Sequence, residues 1–284
     1  MKKLFYFLFI AFAFFSCDSD PINVNVMSFN VRYDNPGDSL NSWEYRKDIA
    51  AQIIKDQGID IVGTQEVLAH QMNDLKTRLP EYTSVGVGRE DGKEAGEFSA
   101  IFYKKDRFTE LESGYFWLSE TPDVAGSKGW DGACERVATW IKLKDNTSGK
   151  EIFAMNTHLD HIGKVARQEG VTLLLERAAE LAKGLPVILT GDFNARPESE
   201  VIKHVTGVET PGHLIDSKKI AKEVLGNEGT FHDFGRISLD VEGRIDYIFV
   251  NDKITVNKYE TMPQKVNDIY ISDHTPIVAH LVVK

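Results

Sequence analysis

Six short polar clusters interrupt the apolar stretches of this chain: Ser28-Phe29-Asn30, Thr64-Gln65-Glu66, Asn156-Thr157-His158-Leu159-Asp160, Gly191-Asp192-Phe193-Asn194, Ile245-Asp246-Tyr247 and Ser272-Asp273-His274. A single Asn or Glu at a strand end ordinarily caps or turns the backbone. Clusters at so many strand ends become a site if those ends share one rim of the fold. Glu66, Asp192, Asp246 and Asp273 would then crowd together with two histidines and two asparagines. Carboxylates that close repel one another unless a cation lies between them. Oxygen donors with few soft ligands select Mg²⁺ or Mn²⁺, whereas zinc calls for cysteine or more histidine.

The elements that must carry these residues follow from periodicity. Alternation over Ile22 to Asn30 predicts a strand. Ser42 to Gln57 places Tyr45, Ile49, Ile53 and Ile54 on one helical face and stops at Gly58. Ile59 to Glu66 reads as a strand, and Leu68, Met72, Leu75 and Leu79 mark a second helix that ends at Pro80. Further strands are expected over Tyr82 to Gly88, Phe98 to Tyr103, Val137 to Leu143 and Ile152 to His158. Lys164 to Lys183 is the clearest helix, followed by strands at Val187 to Gly191, Ile245 to Val250 and Pro276 to Val283. Gly126 to Gly132 reads as a surface loop near the working end. Many strands with few helices, neither alternating strictly nor segregated, predict an α/β fold of two packed sheets with helices outside.

Composition narrows the class. Hydrophobic residues at 42% and charged residues at 27% are ordinary globular values, which excludes a disordered, collagenous or coiled-coil chain. The net charge of −10 repels polyphosphate backbones, so bulk duplex DNA is not the expected partner. A phosphorylated small molecule, a lipid headgroup or a nucleotide remains compatible.

Met1-Lys2-Lys3 and the uncharged, mostly apolar run Leu4 to Ser16 fit a signal peptide. The run is too short for the ~20 residues that a membrane span needs. Ser16-Cys17 resembles a bacterial lipobox, in which Cys17 is lipidated after removal of residues 1–16. Residues 17–21 would form a short tether and 22–284 a single domain, anchored in the envelope through lipid alone and monomeric. Cys134 is then the one remaining cysteine, expected to be a bland thiol in a chain without disulfides.

The ordered series Asn30, Gln65-Glu66, Asn156-Thr157-His158, Gly191-Asp192-Phe193-Asn194, Asp246-Tyr247 and Ser272-Asp273-His274-Thr275-Pro276 resembles the endonuclease/exonuclease/phosphatase superfamily, the DNase I-like proteins. The resemblance covers about residues 22–284 and implies a four-layer sandwich of two mixed sheets flanked by helices. It implies a divalent-metal-dependent phosphoesterase working by in-line attack of an activated water. Glu66 would be the principal ligand of Mg²⁺ or Mn²⁺, with Asn30 on the metal side and Asp273 as a second metal or orienting carboxylate. Asp192 would position or deprotonate the water, and Asn194 would orient it. His158 would donate to phosphoryl oxygens, and Asp246 would orient His274.

Arg136 is the expected substrate-phosphate clamp, since a guanidinium fork binds phosphate bidentately, with a salt bridge as the other use of the same residue. Trp130 and Asp160 are further candidates for substrate contact. Within the class, a nuclease would want more basic surface, an inositol phosphatase a longer basic motif around His158, and a sphingomyelinase an exposed aromatic hairpin. Tyr115-Phe116-Trp117-Leu118 is apolar enough for such a hairpin but reads as core. Outside the class stand a glycoside hydrolase, which would not need this Asn and His set, and a catalytically inactive surface-binding lipoprotein. The anchor reading has a direct check: Cys17→Ala should move the protein from the membrane fraction to the soluble one. A soluble wild type whose mature N-terminus lies beyond Cys17 would overturn it.

Overall fold

The structure, a computed structural model, describes residues 20–284, so the leader, Cys17 and part of the expected tether lie outside the described residues. Fifteen strands are formed: β1 (Ile22–Asn30), β2 (Ile61–Val67), β3 (Tyr82–Val85), β4 (Phe98–Lys104), β5 (Phe108–Trp117), β6 (Val137–Asp145), β7 (Glu151–His158), β8 (Val187–Asp192), β9 (Ile215–Asp216), β10 (Glu223–Leu225), β11 (Asp246–Val250), β12 (Ile254–Thr261), β13 (Lys265–Val266), β14 (Ile269–Tyr270) and β15 (Ile277–Val283). The helices are α1 (Trp43–Asp56), α2 (Ala69–Arg78), α3 (Lys164–Ala182), α4 (Glu200–Thr206), α5 (Ser217–Ile220) and α6 (Leu239–Glu242). One sheet runs β10-β12-β15-β1-β2-β4-β3, the other β5-β6-β7-β8-β11-β9, and β13-β14 form a separate hairpin.

Three apolar layers hold the stack together. Between the sheets lie Val24, Val26, Ile61, Ile101, Ile141, Ile188, Ile248 and Ile277. Beneath α1 and α2, the other face of the first sheet buries Phe29, Ile54, Leu75 and Phe102. Beneath α3 and α4, the second sheet buries Phe153, Leu174, Leu189, Ile202 and Phe249. The central strands β1, β2, β7 and β8 are therefore covered on both faces and largely buried. The architecture is the expected four-layer α/β sandwich of two mixed sheets flanked by helices, with more strands than periodicity predicted.

β5 and β12 escaped the sequence reading. Midway along β5, Glu110, Leu111, Glu112 and Ser113 are exposed and the register slips, so no clean alternation survives there. Downstream in the same strand Phe116 and Trp117, with Leu118 just beyond it, are buried, as the core reading of that stretch required; Tyr115 alone faces solvent.

Topology brings the polar clusters to one rim. β1 and β2 run parallel, as do β7 and β8, so Asn30, Glu66, His158 and Asp192 lie at or beside neighbouring C-terminal ends. β11 runs antiparallel to β8 and opens with Asp246 opposite Asp192. β15 runs antiparallel to β1, so Asp273 and His274, which lead into it, arrive beside Asn30.

Just below this rim the sheets are joined by polar groups. Asn156 donates from Nδ2 to Thr64 O (2.8 Å) and Ala100 O (3.1 Å). Its Oδ1 accepts from Gln65 Nε2 (2.7 Å) and Thr190 Oγ1 (3.0 Å). Gly63 gives this cluster room, because a Cβ there would stand 2.0 Å from Thr190 Oγ1 and 2.5 Å from Asn156 Oδ1. Gly63→Ala should therefore destabilise the protein by about 1–3 kcal/mol, the usual cost of overpacking a dense interior. Urea unfolding checks this: an unchanged midpoint would show that the sheets part easily here.

Candidate active site

Asn30, at the end of β1, is 1% exposed and organises the basin from behind. Its Nδ2 donates to Glu66 Oε1 (2.9 Å) and Asp192 Oδ2 (3.0 Å) and lies 3.4 Å from His274 Nε2. Its Oδ1 accepts from the Arg32 backbone N–H at 3.0 Å. Asn30, expected on the metal side, turns its amide nitrogen to the carboxylates of Glu66 and Asp192. Glu66 sits on a β-bulge with φ 60°, and the Tyr33 N–H donates to its Oε2 at 3.1 Å. Arg32 (φ 61°) and Asn194 (φ 46°) share this left-handed backbone. Such conformations persist in L-residues only where the surroundings impose them, and they cluster where a side chain must be aimed.

Both histidines approach Asp192. Asp192 Oδ2 is 3.5 Å from His158 Nε2 and 3.7 Å from His274 Nε2. Its other oxygen accepts from the Asn194 N–H at 2.9 Å. The surroundings drive the two rings apart in charge. Burial disfavours the charged form of His274, but Asp246 Oδ2 at 2.9 Å from Nδ1, and then Asp192, hold its pKa well above the ordinary value. His158 is pushed well below it by burial and by Arg136 and Arg89. These surroundings favour the charged form of His274 and the neutral form of His158, whose Nε2 lies 3.1 Å from Asn194 Nδ2. Burial, followed by Asp246, raises Asp192 to about 7. Burial also raises Asp273 to about 6, offset by His274 and reinforced by Glu66.

A basin of about 560 Å³ opens over Arg32, Glu66, His158, Asp192, Asn194, Asp273 and His274. The oxygen-rich corner of Glu66 and Asp273 suits a hard divalent cation, and Arg32 Nη1 and Nε lie 3.9 and 3.6 Å from those carboxylates. Among the described residues, Glu66, His158 and Asp192 also bring one donor atom each within 4.8 Å of one another.

The three expected substrate contacts lie elsewhere. Arg136 is 5% exposed and borders an adjoining pocket, with Nη2 3.0 Å from His161 Nδ1 and Nε 3.6 Å from Asp160. Asp160 is buried, and its carboxylate is taken up by the backbone N–H groups of Ile162, Gly163 and Ala133 at 2.9, 2.6 and 3.0 Å. Those bonds outweigh burial and pull its pKa down to about 2, so Asp160 pins a loop and has no oxygen to spare for substrate. Trp130 packs partly buried against the core beneath α3, away from the basin. Its neighbour Asp131 caps α3, accepting from Ala166 N–H at 2.7 Å. Sequence reasoning missed Arg32, Arg89 and Glu97. Glu97 immediately precedes β4, so the strand-end rule that found the others would have found it.

The charge assignment is measurable. In the chelator-treated protein, imidazole NMR should show His274 protonated through neutral pH and His158 neutral. Asp246→Asn removes the main charge that opposes burial, so the His274 pKa should fall; an unmoved pKa would break the pairing.

The sequence and the fold match those of known proteins. The profile of the endonuclease/exonuclease/phosphatase family matches residues 27–274. The crystal structure of the endonuclease/exonuclease/phosphatase from Bacteroides vulgatus superposes with a TM-score of 0.89 at 45% identity, covering 93% of this chain and 100% of that one. The mannosyl-6-phosphatase Bt3783 of Bacteroides thetaiotaomicron VPI-5482 superposes with a TM-score of 0.84 at 40% identity, over 91% of this chain and 99% of its own. The CCR4-Not complex 3'-5'-exoribonuclease subunit Ccr4 of Mycosarcoma maydis is 24% identical over 94% of this chain, which spans only 51% of that protein. The matched segment contains every polar cluster from Ser28 to His274, and the chain belongs to the endonuclease/exonuclease/phosphatase family.

Proposed function

We propose that this protein is a divalent-metal-dependent phosphoesterase that cleaves phosphomonoesters by in-line attack of an activated water. The carrying observation is the convergence on one basin of an imidazolium backed by a carboxylate, a buried proton acceptor and an oxygen-rich corner. Asp192 takes the proton of the attacking water, and a pKa near 7 suits a general base at neutral pH. The Asn194 backbone N–H holds one oxygen of that carboxylate, which leaves the other facing the two histidines. His274, kept charged by Asp246, stabilises negative charge as it develops on the phosphoryl oxygens, and the effect is large because the group is already oriented and buried. The neutral His158 contributes a hydrogen bond and no charge. Mg²⁺ or Mn²⁺ held by Glu66 and Asp273 would supply Lewis-acid polarisation of a phosphoryl oxygen.

The monoester choice is supported by the 40% identity to a mannosyl-6-phosphatase and by a basin of small-molecule size. The net charge of −10 also weighs against a long nucleic-acid strand. The export and lipid anchoring through Cys17 complete the proposal, placing a monomeric enzyme at the bacterial envelope.

Chelator-treated protein should be inactive on p-nitrophenyl phosphate and recover with Mg²⁺ or Mn²⁺. Asp192→Asn and His274→Ala should each lower kcat by at least ~10²-fold, the scale of one acid–base group. Asp246→Ala/His274→Ala should be little worse than His274→Ala alone, because the pair acts as a unit. Full turnover in chelator would overturn the metal requirement, and faster cleavage of bis(p-nitrophenyl) phosphate would replace the monoester reading with a diester one.

A further inference from the structure

Beside the basin lies a second pocket of about 360 Å³, sharing Arg32, Glu66, His158 and His161 with it and closed by Tyr33, Arg89, Glu97, Cys134 and Arg136. Its wall is made by a short turn: the Arg89 N–H donates to Glu97 O at 3.1 Å, and Gly88 bridges Phe98. Arg89 Nη1 pairs with Glu97 Oε2 at 2.6 Å, and both side chains are 16% exposed. Arg136 closes the far side at 5% exposure. Nη1 of Arg136 and Nε of Arg89 are buried donors without a hydrogen-bond partner. Buried donors left unpaired are costly, and both side chains belong to the lining of a pocket that adjoins the basin.

The donor set selects the ligand. A second phosphate would satisfy the guanidinium groups but would meet the Glu97 carboxylate at close range. A hydroxyl both donates and accepts, so a ring carrying adjacent hydroxyls can donate to Glu97 while accepting from Arg89 and Arg136. We propose that this pocket, built on the Arg89–Glu97 pair and Arg136, binds the polyhydroxylated, non-reacting part of the substrate, a sugar ring whose phosphate lies over Asp192 and His274. Arg136 thereby moves from a clamp on the reacting phosphate to a recognition group for the ring. The inference rests on the phosphomonoesterase reading and adds to it the residues that set specificity.

The test compares kcat/KM for mannose 6-phosphate and p-nitrophenyl phosphate in the metal-loaded enzyme. Wild type should prefer the sugar ester, and Arg89→Ala should cut that preference by at least ~10-fold, the loss expected when one hydrogen bond to a charged group is removed. The ratio of the two substrates is the readout, because freeing Glu97 beside His158 affects both reactions alike. Arg89→Met, which keeps the stem that packs the turn, serves if Arg89→Ala fails to fold. A wild type without preference, or a preference that survives in Arg89→Met, overturns the pocket while leaving the phosphomonoesterase intact. A wild type that cleaves neither ester overturns both.

Discussion

Asn156 and its partners make the join on which the working rim depends. An apolar interface between two sheets is largely non-directional and tolerates sliding. Four hydrogen bonds from one buried amide do not, because each has a defined distance and angle and costs energy if left unmade. The amide reaches β2 and β4 from β7 while also engaging β8, so a one-residue shift of any of these strands would turn its side chains to the opposite face. With that contact in place, Glu66 from one sheet and His158 and Asp192 from the other meet across the gap. Gly63 is the space that permits it.

Above the join, the site concentrates charge that the fold would otherwise avoid. Asp192, Asp246 and Asp273 are each at most 4% exposed. Their repulsion is partly offset by Arg32, by the amide of Asn30 and by the imidazolium of His274. The asymmetry between the two histidines has a simple origin: His274 has a carboxylate at its back and His158 has two guanidinium groups nearby. One fold thus sets two rings of opposed charge preference beside the same carboxylate oxygen.

Most of this site was legible in the sequence, because its chemistry sits at strand ends where apolar runs stop abruptly. Asp192, Asn194, His158, Asp246, Asp273 and His274 announced themselves in this way, and the long amphipathic α3 was plain from spacing alone. What could not be read were roles decided by distance between segments far apart in sequence. Asn156 and Gln65 stand in the same polar clusters as the candidate site residues but form the join beneath them. Asp160 looked like a substrate contact, but three backbone N–H groups that no pattern reveals claim its carboxylate. Arg89 lay unnoticed in a glycine-rich turn, where isolated charges ordinarily face solvent.

The pairing of β1 with β15 has a consequence for how the protein becomes active. Asn30 and His274 are neighbours in the basin although 244 residues separate them along the chain. β15 also supplies the partner strand of both β1 and β12, so the first sheet stays in two pieces until the last segment docks. Contacts of such long sequence separation form late, after the entropy of closing the intervening chain has been overcome. A chain in which β15 has not yet docked therefore carries Glu66, His158 and Asp192 without His274 beside them. The complete basin is thus a readout of finished folding, assembled only when β15 is in place between β1 and β12.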